Sequence, residues 1–298
     1  MIDFIKAYTI DKAIAARLRN TICTQVEVDH SSGEISAGEY FGKCSQFKIR
    51  VFDSGRIEMQ GSLHKYYSGG MNCSDFTFEQ VCQTIFSFCE LLGLKPENVF
   101  LQNLEYGVNI TLPYHPSVLL ENIVCLPCGE LFERQAGEGW KCPLFEYRHK
   151  IYNKSAQYRF GSPNLLRYEI HVDKMRKISP VKTLHDLTKP ETWDMLQLSL
   201  VGHFKQIVFE DKYVEMRITK WEQKYLSEFS DKINNSRFWK KLNPLERHRH
   251  LKRVKKIQEK SMWRFSERIS KQISEKVEQL KTGNNFTLQL LGENITGS

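Results

Sequence analysis

The chain has 298 residues, enough for one large or two modest hydrophobic cores, and its 43 Lys and Arg against 35 Asp and Glu give a formal net charge of +8 that favours a polyanionic partner, nucleic acid first, over a neutral metabolite. No apolar run approaches the roughly 18 to 20 residues of a membrane span, and MIDFIKAYT lacks the basic-then-apolar order of a signal peptide, so the expected location is the cytoplasm, without a membrane partner. The 8 cysteines are scattered and read as free thiols in a reducing compartment rather than as a disulfide framework.

From Phe47 the residues alternate as a strand requires, with Phe47, Ile49 and Val51 on one side, a turn at Asp53-Ser54-Gly55 and a return through Ile57 and Met59, which predicts a β-hairpin. Thr77 with Gln80 forms a capping box, and Val81, Ile85, Phe88 and Leu92 recur at helical spacing until Gly93, so an amphipathic helix follows. LEYGVNI then places Leu104, Tyr106, Val108 and Ile110 on one strand face and Glu105, Gly107 and Asn109 on the other. Two more strands are expected, around Tyr152 and around Glu169. Beyond about residue 186 the alternation fades, and Trp193, Leu196, Leu200, Phe204 and Ile207 recur at helical spacing. Asn243-Pro244-Leu245-Glu246 carries an N-cap, a proline at the first helical position and an acid at the third, predicting one long helix to Gly283 with an apolar stripe from Leu251 to Leu280. The expected fold is α+β: an antiparallel sheet with helices packed on one face in residues 1–185, then a mainly helical domain in residues 186–298 for DNA binding or dimerisation.

Four of these strands carry chemistry opposite their apolar residues: Arg56, Glu58 and Gln60; Glu105, Gly107 and Asn109; Arg148, Lys150 and Tyr152, leading to Lys154; and Arg167, Glu169 and His171. An antiparallel sheet backed by helices has a solvated face in any case. Here, however, acids concentrate on two strands and cations surround one tyrosine, the pattern of a metal site beside a phosphate site. A phenol with an ordinary pKa of about 10 is a poor nucleophile. Lys150 and Lys154 beside Tyr152 are expected to favour its phenolate and to hold a phosphodiester.

Five motifs in order, RIEMQGSLHKYYSGG, NLEYGVNI, HKIYNKSAQY, LLRYEIHV and a KPETW helix entry ending in QIVFED, resemble the rolling-circle replication initiators of staphylococcal-type plasmids and the gene II proteins of filamentous phages, within the HUH-like nicking enzymes. The resemblance spans residues 56 to 210. It implies an HUH-like nuclease domain in which Tyr152 attacks a DNA phosphate at an origin, leaving a 5′-phosphotyrosine and a free 3′-OH that primes synthesis. It further implies an oxygen-liganded Mg²⁺ or Mn²⁺ held by Glu105 and Glu169 first, then Asn109, Glu58 and His171, where Asn109 departs from the family by replacing an acid. No histidine pair of the wider group stands on a strand: His248 and His250 lie on the predicted helix. His64, Lys65 and Arg167 would meet DNA. A homodimer, and a host helicase and polymerase, are the further partners such a role would involve.

Outside the sheet, residues 239–260 hold nine Lys or Arg against two Glu, and Lys252, Arg253, Lys255 and Lys256 are expected to bind origin duplex, the other reading being a solvated helix face. Cys125-Leu-Pro-Cys128 with Cys142 and His149 reads either as a zinc set or as a reduced loop. A relaxase or transposase with the same chemistry, and a non-catalytic origin-binding protein, stand as alternatives to the initiator, the last kept open by Asn109.

Overall fold

The computed structural model describes residues 1–28, 35–135, 138–158, 164–210 and 218–283. In chain order the strands and helices are β1 (Ile2–Ile10), α1 (Lys12–Thr21), β2 (Cys23–Val28), β3 (Ile35–Cys44), β4 (Phe47–Phe52), β5 (Arg56–Ser62), α2 (Leu63–Ser68), α3 (Phe78–Leu92), β6 (Phe100–Thr111), α4 (Ser117–Leu120), β7 (Ile123–Cys125), β8 (Glu133–Gln135), β9 (Gly139–Pro143), β10 (Tyr147–Asn153), α5 (Lys154–Tyr158), β11 (Leu165–Val172), α6 (Pro190–Phe204), β12 (Val208–Phe209), α7 (Lys220–Ile233), α8 (Ser236–Lys241), α9 (Pro244–Gln258) and α10 (Phe265–Thr282). Three short 3₁₀ turns lie among them.

Ten strands form one sheet in the order β2-β3-β4-β5-β1-β6-β11-β10-β9-β8, and each neighbouring pair is antiparallel. The expected hairpin is β4–β5. The expected capping box starts α3, and Gly93 ends it in the left-handed region at φ 64°. Apolar residues of β1, β4, β5, β6, β10 and β11 share one core with Val81, Ile85 and Phe88 of α3, Leu196, Leu200 and Phe204 of α6, and Ile269, Ile273 and Val277 of α10. Helices therefore back one sheet face and the polar side chains occupy the other, as expected for α+β.

The carboxy-terminal region departs from the sequence expectation in two ways. The expected boundary at 185/186 does not separate two cores, because α6 and α10 pack with the sheet. A second, smaller core joins Tyr225 and Ile233 of α7, Trp239 of α8, and Val254 and Ile257 of α9 to Cys125 and Val208. The long helix is also two helices. Asn243 and Glu246 do form the capping box of α9, but after Gln258 the Ser261 hydroxyl donates to the Gln258 carbonyl at 2.7 Å and accepts the Arg264 amide at 3.1 Å. A serine that bonds local backbone in this way competes with the helical ladder. Arg264 then adopts φ 53° and α10 starts at Phe265, while Met262 of the expected stripe is 56% exposed. Among the described residues, no helix is long and apolar enough to cross a membrane.

Candidate active site

Register on the polar face brings the sequence motifs together. Glu105 of β6 stands opposite His171 of β11, Gly107 opposite Glu169, and Asn109 opposite Arg167; on the other side of β11, Glu169 faces Lys150 of β10 and Arg167 faces Tyr152. Two glycines make the crowding feasible. A Cβ on Gly107 would lie 2.5 Å from the Glu169 Cβ, and one on Gly139 would lie 2.9 Å from the Tyr152 Cβ.

Asp3 of β1 completes the group, and a β-bulge puts it there. Ile2 pairs with Tyr106 and Ile5 with Leu104, so three steps along β1 match two along β6. Ile2 and Ile5 both enter the core, while Asp3 and Phe4 between them turn to the polar face. Oxygens of Asp3, Glu105 and Glu169 then converge, each within 4.8 Å of the others, and all three residues are buried. This donor set suits a hard divalent cation such as Mg²⁺ or Mn²⁺.

Buried cations hold the acids in place. Arg167, 3% exposed, donates from Nε to Glu169, from Nη2 to Asp3 at 2.7 Å and from Nη1 to the Asn109 oxygen at 3.0 Å. The Ser62 hydroxyl also donates to Asp3, as does the Asn72 amide at 2.6 Å. Lys150 lies between Glu105, to which it donates, and Glu169 at 3.4 Å. Burial opposes the charge on Glu105, but the hydrogen bond from His171 and the Lys150 ammonium hold its pKa down at about 2. Glu169 moves the other way: burial and the neighbouring Glu105 charge push it above the usual carboxylate range. For Lys150, burial is outweighed by Glu169 and Glu105, which raise it.

Tyr152 is half-buried at the end of β10. Lys154, 1% exposed, reaches its hydroxyl at 3.5 Å and donates to the Asn72 oxygen at 2.7 Å. Burial, then the nearby Arg167 charge, lowers the Lys154 pKa to about 8. The expectation that two lysines favour the phenolate is corrected here. Lys150 is committed to the carboxylates, and burial followed by the Glu169 charge raises the Tyr152 pKa above its ordinary value. In this arrangement the tyrosine is a neutral phenol beside an amine that loses its proton at mildly alkaline pH.

Other expected site residues fall elsewhere. Asn109 accepts from the same Arg167 that holds Asp3 and Glu169, and donates to the Cys73 carbonyl at 3.1 Å. Glu58 sits on β5 paired with Arg56, opposite Tyr8, and the third carboxylate of the cluster comes from Asp3. His171 touches the cluster from outside, with Nδ1 3.1 Å from Glu105 and Nε2 3.5 Å from Asp173. Arg148 is paired with Asp173. Arg167 is a buried brace rather than a DNA-contacting cation. His64 is buried too, stacked on Phe76 with Nε2 3.3 Å from Ser74, and burial lowers its pKa to about 3. Lys65 is half-buried on the short helix α2. On α9, Lys252, Arg253 and Lys256 are exposed, but Lys255 turns inward to Ser266 at 2.7 Å, and burial followed by Lys205 lowers its pKa to about 7. Among the described residues, Asp3, Glu105 and Glu169 are the group whose ligand atoms converge, so Cys125, Cys128, Cys142 and His149 do not form a zinc set. His149 Nδ1 instead meets the Tyr168 hydroxyl at 2.9 Å.

No family model and no curated protein matches the chain. Among solved structures it is similar to the rolling circle replication initiator protein from Geobacillus stearothermophilus, at a TM-score of 0.35 and 12% identity, over 76% of this chain and 95% of that one.

Proposed function

We propose that the chain is a site-specific DNA nicking-joining enzyme that uses Tyr152 as its nucleophile and acts in initiating rolling-circle replication. The observation that carries this reading is the convergence of Asp3, Glu105 and Glu169 on the sheet face that also bears Tyr152, with Lys154 at the start of α5 reaching the Tyr152 hydroxyl. Those three carboxylates would hold the Mg²⁺ or Mn²⁺, which, when bound, polarises a phosphodiester and fixes its geometry. The order of motifs from residue 56 to 210, which resembles the rolling-circle initiators, supports the choice of DNA and of an origin.

In the nicking step the Tyr152 oxygen attacks phosphorus. A new O–P bond forms, the bond to the 3′-oxygen breaks, and a 5′-phosphotyrosine and a 3′-OH result. Lys154, whose neutral form becomes the major one above about pH 8, takes the phenolic proton across the 3.5 Å gap in that form and returns it to the departing 3′-oxygen. Arg167 and Asn72 orient the carboxylates and the lysine without touching DNA. Asp3 supplies a third acid, so the neutral Asn109 no longer favours a non-catalytic protein. The test is supercoiled DNA carrying a cognate origin, incubated with the chain and Mn²⁺. Conversion to open circle with protein attached is expected; circles that stay closed while protein binds would leave a DNA-binding module in its place.

A further inference from the structure

On the other half of the same face, a groove of about 650 Å³ is lined by Lys6, Lys43, Lys48, Arg50, Phe41 and Gln60, among others, with Glu58 the acid beside them. Register aligns its lysines. Lys43 is opposite Lys48, Lys48 opposite Gln60, Gln60 opposite Lys6, and Lys6 opposite Asn103, so one row crosses β3, β4, β5, β1 and β6. At roughly 4.8 Å per strand the row is about 19 Å long.

A parallel row, two residues further along β1, carries Phe41, Arg50, Glu58, Tyr8 and Phe100. Its charges are already matched, Arg50 by Glu39 and Glu58 by Arg56, and Phe100 is 43% exposed. By contrast Lys6, Lys43 and Lys48 have no acidic partner among the described residues. Like charges directly opposite each other on neighbouring strands are destabilising. Lys43 facing Lys48 is therefore a cost that a bound polyanion relieves.

We propose that this groove is a track for single-stranded DNA, with phosphates on Lys6, Lys43 and Lys48 and unpaired bases against Tyr8, Phe41 and Phe100. Aromatic rings can stack only on bases that are not closed into a duplex, and a lysine row beside a row of rings is the combination that single strands use. The lysine row passes three residues from Asp3 on β1, about 10 Å along the strand, so a strand lying on it leads to the carboxylate cluster. The choice of DNA rests on the nicking reading; the geometry of the groove does not.

Binding of a fluorescent single-stranded oligonucleotide to the full chain, followed by anisotropy across a salt series, tests the track. Replacing Lys6, Lys43 and Lys48 together with Gln should lower affinity by about tenfold or more and flatten the slope of log affinity against log salt by about 2, at roughly 0.7 per lost single-strand contact. Tyr8→Ala should weaken binding with the slope unchanged. An unaltered slope in the triple variant overturns the proposal, as does an equal loss of affinity for duplex. The two readings fail separately. Lysine-dependent single-strand binding by a chain that never nicks keeps the track, whereas nicking by a chain whose triple variant binds normally removes it.

Discussion

Asp3, Glu105, Glu169 and Arg167 lie buried on one half of the polar sheet face with their charges paired, whereas Lys43 and Lys48 are exposed and Lys6 half-buried on the other half, none of the three with an acidic partner among the described residues. The two halves share strands β1 and β6 and the same outward direction, so the contrast comes from the residues and not from the fold. Burying an ion cluster carries a desolvation penalty that pairing only partly offsets, so such a cluster adds little net stability and its worth lies in fixing geometry. Exposed lysines carry almost no such penalty and act by releasing counterions from a polyanion. On the proposed reading, one half is the reaction site and the other the binding surface.

Breaking the buried half should have the largest effect. Arg167→Met leaves Asp3 and Glu169 buried without their guanidinium and should cost about 3–5 kcal/mol in urea unfolding, while Lys48→Gln should change stability by no more than about 0.5 kcal/mol. Similar losses in both would erase the contrast. Next, Asp3→Asn should lower Mn²⁺-dependent nicking on the order of 100-fold with folding retained. Glu58→Gln should leave the metal dependence as it was. If the two variants exchanged these phenotypes, the acid on β5 would be the ligand after all.

Acid should expose a further difference. His64 and His149, with pKa lowered to about 3, and His203, lowered to about 4, are kept neutral chiefly by burial. The unfolded chain protonates near pH 6.5 and the folded one much lower, so the unfolded state binds more protons in between and stability falls as pH drops below about 6.5, by up to about 1.4 kcal/mol per pH unit per histidine. Glu105, held at about 2, has the same sign, its contribution being lost as pH falls from the ordinary carboxylate range through that value. Urea midpoints at pH 7 and pH 5 measure this slope, and His203→Phe should flatten it. The smallest effect is expected on α9. Lys252, Arg253 and Lys256 changed to Gln should flatten the salt slope for origin duplex by up to about 0.9 per lost contact, while Lys255→Gln, facing Ser266, should not alter it.

Much of the site was legible because Glu105, Glu169 and Tyr152 lie on regularly alternating strands, where a period of two assigns each side chain to a face. Asp3 was missed for the converse reason. The bulge between Ile2 and Ile5 interrupts the period, so alternation read along IDFIKAYTI cannot place Asp3 and Phe4 on one face. The lysine track was invisible because Lys43, Lys48 and Lys6 meet only through strand register, with β1 inserted between β5 and β6. At the α9–α10 break the residues EKSMWR contain neither Gly nor Pro, and the stop comes from one serine hydroxyl. Lys154 lies beside the Tyr152 hydroxyl and Lys150 meets Glu105 and Glu169, so the effect of the two lysines on the phenol depends on burial and on the acids they meet, which strand alternation does not reveal.

The most direct test of the account is the identity of the residue joined to DNA. Single-stranded DNA carrying the nick site, incubated with the full chain and Mn²⁺, digested and analysed by mass spectrometry, should yield a nucleotide attached through phosphate to the peptide containing Tyr152, and Tyr152→Phe should yield no adduct while still binding DNA. An adduct on Tyr147, Tyr158 or Tyr168, or cleavage without any adduct, would contradict it.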